Sequence, residues 1–146
     1  MASDKVFIVA VDGSKASHRA LDHTIMLAQA LGARVHLIHV VHWSGYVPIG
    51  VEDAYHRPLD RKKEEKHAKE DIIAPAMDKL REAGVEADNS YTWGNPAQEI
   101  KKKAQKLDAD MIIVGRKGRS NIAEMIVGSV SNAIAHIAPV PVLLVP

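Results

Sequence analysis

Apolar residues follow two different rhythms along this chain. Short apolar runs of strand length alternate with longer stretches in which apolar residues return every three or four positions, as on one face of a helix. The short runs predict β-strands over residues 6–11, 35–41, 85–93, 111–114 and 140–145. Because strands that alternate with helices are typical of βαβ units, we predict an α/β fold with an open, five-stranded parallel sheet and helices on both faces.

Start and stop signals support the helical stretches. Ser14 suits the N-cap of the first helix, and Gly32 suits its C-terminal stop. A second helical pattern covers residues 58–83, and Pro75 inside it predicts a kink or two separate helices. Residues 42–57 have no clear period, so we expect a long surface loop there.

Composition limits the class of protein. A length of 146 residues predicts one domain, 1–146, and the hydrophobic and charged fractions of 47% and 25% are ordinary for a globular chain. The net charge of +1 argues against a nucleic-acid surface, and the lack of cysteine excludes disulfides and thiolate sites. No apolar run approaches the roughly 20 residues that span a bilayer. We expect a soluble cytoplasmic protein without nucleic-acid or membrane partners.

The most informative segment follows the fourth predicted strand. Three glycines and a serine have the spacing G-x2-G-x9-G-S and precede a helical stretch; they are Gly115, Gly118, Gly128 and Ser129. Glycine lets a backbone approach a ligand closely, and a helix N-terminus offers unpaired N–H groups to an anion. The segment is therefore interpreted as a phosphate-binding loop of a nucleotide site. Taken singly, each glycine is also an ordinary turn residue and Ser129 an ordinary N-cap.

This spacing resembles that of the universal stress protein family, specifically its ATP-binding branch. Other parts of the chain agree with the same family pattern, and the resemblance spans essentially all 146 residues. The agreeing segments are the first strand with Asp12-Gly13-Ser14, the pair His39-Val40, the helix entry Gly94-Asn95-Pro96 and the last strand after Ala138-Pro139.

The resemblance implies a Rossmann-like sheet with the strand order 3-2-1-4-5. Strands one and four would then be neighbours, and the loops after them would flank one crevice. In that crevice Asp12 would bind the ribose or the adenine edge, Val40 would line the adenine pocket, and Gly115 would pass close to the ribose. The phosphates would receive backbone N–H groups from Gly118, Gly128, Ser129 and Val130, with the Ser129 hydroxyl in addition. A turn without any binding role is the alternative for Asp12.

The resemblance also implies ligands and partners. The nucleotide would be ATP, or else ADP or AMP, with Mg²⁺ or Mn²⁺ carried by its phosphates. The last strand, 140–145, would pair with its own copy in a homodimer. An edge strand offers unpaired backbone groups for such pairing, whereas an edge blunted by Pro139 and Pro141 would leave a monomer.

Other chemistry finds less support in the sequence. No G-x4-G-K-[ST] or G-x-G-x-x-G motif occurs, which argues against a P-loop hydrolase or a dinucleotide dehydrogenase, and we assign no catalytic residue. His36 and His39 should face opposite sides of a strand, so no protein metal site is predicted. The expected function is an ATP-binding regulator or sensor in the stress response. The alternatives are a dimeric interaction protein of the same fold that binds no nucleotide, and a slow ATP hydrolase.

Overall fold

Five parallel strands form one sheet in the computed structural model, which describes residues 4–42, 61–117 and 128–146. Their order across the sheet is β3-β2-β1-β4-β5, which confirms the predicted order and the parallel pairing. The strands are β1 (Val6–Ala10), β2 (Arg34–His42), β3 (Ala87–Gly94), β4 (Met111–Gly115) and β5 (Val142–Val145). Each lies within three residues of its predicted bounds.

The central strand β1 pairs on both edges. Ile8 lies opposite His36 of β2 and opposite Ile112 of β4. The chain therefore reverses its direction of travel across the sheet at β1, with β2 and β3 on one side and β4 and β5 on the other. Loops that leave the carboxyl ends of β1 and β4 diverge at this point and open a crevice.

Helices pack on both faces of the sheet, as predicted. Helix α1 (Lys15–Leu31) and the helical residues 61–82, here α2, bury side chains such as Leu21 and Leu80 against Phe7 on one face. Helices α3 (Pro96–Lys106) and α4 (Ser129–Ile137) cover the other face with a cluster that includes Ile100 and Ile134. The central strands are consequently buried on both sides, which is the reason for their continuous apolar runs.

The caps of α1 confirm the predicted signals. The Ser14 side chain accepts a hydrogen bond from the Ser17 N–H at 3.1 Å, and Gly32 adopts the left-handed conformation with φ 68°. Helix α3 begins similarly, because Asn95 Oδ1 accepts from the Gln98 N–H at 3.1 Å and Pro96 follows at the first helical positions. Both helices thus begin directly beyond the carboxyl end of a strand.

Helix α2 accommodates Pro75 without an interruption in its helical residues. A π-helical segment, Ala68–Ile73, precedes an α-helical one, Ala74–Glu82, and Pro75 falls in the first turn of the second segment. Pro75 has no N–H to donate to the preceding turn, and the hydrogen-bond pattern already departs from the α-helix there, since the Ala74 N–H donates to the Lys69 carbonyl five residues back. The proline therefore coincides with a change of helical geometry. Of the predicted loop 42–57, only His42 belongs to the described residues, and it ends β2.

A row of rings joins α2 to the edge strand β3. His39 stacks on Tyr91 at 6.2 Å, Tyr91 meets Trp93 edge to face at 6.2 Å, and the Arg61 guanidinium lies 5.0 Å from the Trp93 ring centre. Burial raises the pKa of the Tyr91 phenol, and the carboxylates of Glu65 and Glu64 raise it further.

Within the described ranges, no helix is long and apolar enough to cross a membrane.

The buried position of Leu80 on α2 leads to a first prediction. Leu80 is 0% exposed within the core, whereas Met26 on α1 is 55% exposed. Leu80→Ala should lower the free energy of unfolding by about 2–5 kcal/mol because it leaves a cavity. Met26→Ala should change it by no more than about 0.5 kcal/mol. Urea titrations of both variants measure the difference, and equal losses would contradict this packing.

Candidate functional site

A pocket of about 370 Å³ lies at the carboxyl ends of β1, β2 and β4. Its lining contains all but one of the site residues predicted from the sequence: Asp12, Val40, Gly115, Gly128, Ser129 and Val130. The remaining one, Gly118, lies outside the described residues. The fold thus brings together positions that are up to 118 residues apart in the chain, at the place where the sheet reverses.

Asp12 shapes the start of α1 as well as the pocket wall. Its Oδ1 accepts a hydrogen bond from the Ser14 N–H at 2.8 Å, and its own N–H donates to Ser17 Oγ at 3.4 Å. Gly13 between them has φ 82°, which glycine adopts without strain. The Asp-Gly-Ser segment is therefore a structural turn, and the same turn holds the carboxylate at the pocket.

Gly115 is required by a close approach of two backbones. A Cβ atom at this position would lie 2.8 Å from the carbonyl carbon of Ala16 and 2.8 Å from its Cβ. The end of β4 consequently packs directly against the first turn of α1. Packing alone explains this glycine, although the residue also lines the pocket.

The two ends of the glycine segment are tied to each other. The Gly128 N–H donates to the Arg116 carbonyl at 2.7 Å, and the Ser131 hydroxyl donates to the Gly115 carbonyl. Gly128 is the N-cap residue of α4, with φ −56° and no side chain to cap the helix. The alternative interpretation of Ser129 as an ordinary N-cap is therefore wrong, because Gly128 is the N-cap and α4 begins at Ser129.

The helix start at Gly128 has a chemical consequence. An α-helix leaves its first N–H groups without intrahelical partners, and they carry the positive end of the helix dipole. Residues 128–131 all line the pocket, so this end of α4 borders it. Lys117, which follows β4 at the other end of the glycine segment, also lines the pocket and adds a positive side chain.

The part of the pocket formed by β2 and the start of α3 is largely apolar. Ile38 and Val40 come from β2, while Pro96 and Ile100 come from the start of α3. Ile38 and Ile100 are each only 1% exposed, so this wall is continuous with the core. A ligand held here would place an apolar, flat group on one side and an anionic group on the other.

Several pocket residues were not predicted from the sequence. Ser17 follows the Ser14 cap by three positions, and Ser131 follows Ser129 by two, so both spacings could have been read as first-turn hydroxyls. His42, the last residue of β2, also lines the pocket. Lys117, between the first two glycines of the motif, lies in the lining as well.

The histidines on β2 are used separately. His36 contacts Asp88 and Ser90 of β3, whereas His39 Nδ1 lies 2.7 Å from the carbonyl oxygen of Val11. Among residues 4–42, 61–117 and 128–146, no three histidine or acidic side chains gather in a way that would hold a metal ion.

Comparison with known proteins now assigns the family. The model of the universal stress protein family matches residues 5–146. The chain belongs to this family. A curated relative, universal stress protein YxiE of Bacillus subtilis, is 33% identical over 142 residues that cover 94% of this chain and 96% of the relative.

Solved structures agree with this assignment to the universal stress proteins. Hypothetical protein MJ0577 is 26% identical with a TM-score of 0.81, covering 97% of this chain and 94% of that one. A universal stress protein in complex with cAMP is 26% identical with a TM-score of 0.63, covering 97% and 95%. A universal stress protein of Archaeoglobus fulgidus in complex with dAMP shares the fold at 21% identity and a TM-score of 0.67, covering the whole of both chains.

The close contact of Gly115 in β4 with α1 leads to a second prediction. Gly115→Ala should force the two backbones apart and lower the free energy of unfolding by about 1–3 kcal/mol, the usual cost of overpacking. Gly84→Ala is the comparison: nothing lies within 4 Å of its added Cβ, and only the φ of 72° is unfavourable. Amide exchange in the first turn of α1 should accelerate in Gly115→Ala alone. Unchanged exchange there would show that β4 does not depend on this approach.

Proposed function

We propose that this universal stress protein binds ATP in the pocket beyond β1, β2 and β4 and acts as a nucleotide-dependent regulator or sensor. The observation that carries the proposal is the division of the pocket into an apolar wall and a polar wall that contains a helix N-terminus. Adenine nucleotides have the same division between base and phosphates. The cAMP and dAMP complexes of related folds support this ligand class.

The pocket suggests how the nucleotide would lie. The base would pack against Ile38, Val40 and Ile100, and the ribose hydroxyls would donate to the Asp12 carboxylate, which only accepts hydrogen bonds. The phosphates would receive N–H groups of residues 128–130, and Lys117 would offset part of their charge. Gly118 would add a further N–H, as the resemblance implies.

The same geometry favours binding over turnover. Asp12 is the only acidic residue among the described residues that line the pocket. Its Oδ1 already accepts a hydrogen bond from the Ser14 N–H. A divalent ion would therefore be held mainly by the phosphates, as expected for Mg²⁺. Phosphate release in the presence of ATP measures the alternative of slow hydrolysis directly.

Asp12 allows the turn and the ligand contact to be separated. Asp12→Asn keeps a side-chain oxygen for the Ser14 N–H but removes the charge, so the fold should be retained. The hydrogen bond to ribose should lose about 1.4 kcal/mol, which weakens ATP binding about tenfold. Isothermal titration with Mg²⁺-ATP measures the affinity, and thermal unfolding checks the fold.

The control is Met26→Ala, which lies on the exposed face of α1 and should bind ATP like the parent protein. No binding by the parent protein at millimolar ATP would refute the proposed function. Equal affinities of the parent and Asp12→Asn would instead refute the role of Asp12 alone.

We also propose that the chain forms a homodimer through β5, as the resemblance implies. Ile112 and Arg116 of the β4 segment donate to the carbonyls of Pro141 and Val145, so the backbone of the intervening residues 142 and 144 faces away from β4. These groups suit pairing with a second copy about a two-fold axis. The homodimer would cover the outer edge of β5.

Leu144→Pro tests this pairing. Proline removes the N–H that faces away from β4 and leaves the ladder to β4 in place. Sedimentation equilibrium should give twice the chain mass of 15.9 kDa for the parent protein and a single chain mass for the variant. Circular dichroism controls for an intact sheet. A parent protein that sediments as a monomer would exclude the dimer.

A further inference from the structure

A second group of polar side chains lies at the β3 edge of the sheet. His36 on β2 contacts two residues of β3: its Nδ1 is 2.7 Å from Asp88 Oδ1, and its Nε2 is 2.8 Å from Ser90 Oγ. The register explains the contacts, because His36 lies opposite Asp88, and Ser90 follows two positions later on the same face. Neither Ser90 nor His36 lines the nucleotide pocket described above.

The hydrogen bonds fix the direction of proton sharing. The Asp88 carboxylate only accepts, so Nδ1 of the His36 ring carries a proton and donates it. In the neutral ring Nε2 is then an acceptor, and the Ser90 hydroxyl donates to it. A hydroxyl hydrogen-bonded to a histidine that is oriented by a carboxylate is the arrangement that activates a serine nucleophile.

The three side chains differ in their exposure to solvent. The His36 side chain is 6% exposed, whereas that of Asp88 is 75% exposed. Ser90 is half-buried and lines a pocket of about 330 Å³ between β3 and α3. The base is therefore shielded from water while the hydroxyl remains within reach of a small molecule.

The pocket beside Ser90 is positively charged. Its described lining includes Lys102, Lys103 and Lys106 of α3 against a single acidic residue, Glu99. The fold places these lysines in the same pocket as the Ser90 hydroxyl. A ligand with a carboxylate suits this lining better than a neutral one.

The backbone of β3 contributes a further feature. The Val35 N–H donates to the Glu86 carbonyl, and because parallel ladders alternate, residues 88 and 90 also face β2. The N–H of Tyr91, next to Ser90, consequently faces away from β2. An N–H adjacent to a nucleophile is the kind of donor that stabilises a developing oxyanion.

We propose that Ser90 is a nucleophile with His36 as its general base, and that this site hydrolyses small carboxylate-bearing esters. Ser90 Oγ attacks the ester carbonyl and passes its proton to His36 Nε2. The bond to the alcohol breaks, and that proton goes to the departing alkoxide, which leaves an acyl group on Ser90. Water then attacks the acyl carbon by the same route and restores the free hydroxyl. Asp88 is a positioning residue that holds the ring.

A fluorophosphonate probe and two chromogenic esters test the proposal on the full chain. The probe forms an Oγ–P bond and releases fluoride, so intact-mass and peptide analysis should place one adduct on Ser90. Mono-4-nitrophenyl glutarate should be cleaved with a higher kcat/KM than neutral 4-nitrophenyl butyrate, and Lys103→Ala should reduce that preference. Ser90→Ala should abolish both labelling and ester cleavage.

Further variants test the roles of His36 and Asp88. His36→Gln should slow labelling about 100-fold, the usual contribution of a general base. Asp88→Asn, at a position whose side chain is 75% exposed, should slow it at least about tenfold, and Asp88→Glu should restore the rate. Asn89→Ala, an exposed neighbour outside the pocket, should match the parent protein. Absence of an adduct on Ser90, or equal ester cleavage by Ser90→Ala, would overturn the proposal.

Discussion

The pairing of β1 on both of its edges is the constraint on which the remaining structure depends. Ile8 has partners on β2 and β4, so the chain must build outward in two directions from this strand. Every loop beyond the carboxyl ends of β1 and β4 then opens around one crevice. The pocket at this crevice is a consequence of that topology, and its chemistry is added by the residues that end the strands.

Close packing at the crevice determines which groups can reach a ligand. Gly115 lets β4 lie against the first turn of α1, where Ser14 and Asp12 form a hydrogen-bonded turn. The bond between Gly128 and Arg116 brings the start of α4 to the same place. Two helix N-termini and a carboxylate therefore meet an apolar wall, and this contrast supports the proposed nucleotide better than any single residue does.

The edge of the same sheet carries different chemistry. Strand β3 has one partner strand among the described residues, and its side chains and those of α3 enclose a smaller, lysine-lined pocket. Asp88, His36 and Ser90 are linked there by direct hydrogen bonds. The Rossmann-like fold can thus carry the proposed ligand site at its topological reversal and the proposed nucleophile near its edge, since fold and chemistry are independent.

The sequence by itself determined the strands, the caps and the family. Continuous apolar runs are required where a parallel strand is buried on both faces, and Ser14, Gly32 and Asn95 satisfy backbone groups locally, so these features are readable from neighbouring residues. Only the tertiary structure explains why residue 115 must be a glycine. It also brings Ser17 and Ser131 into the pocket and Ser90 into contact with His36. Those contacts join residues from different elements. Their distances depend on strand register and helix packing, which local sequence patterns do not encode.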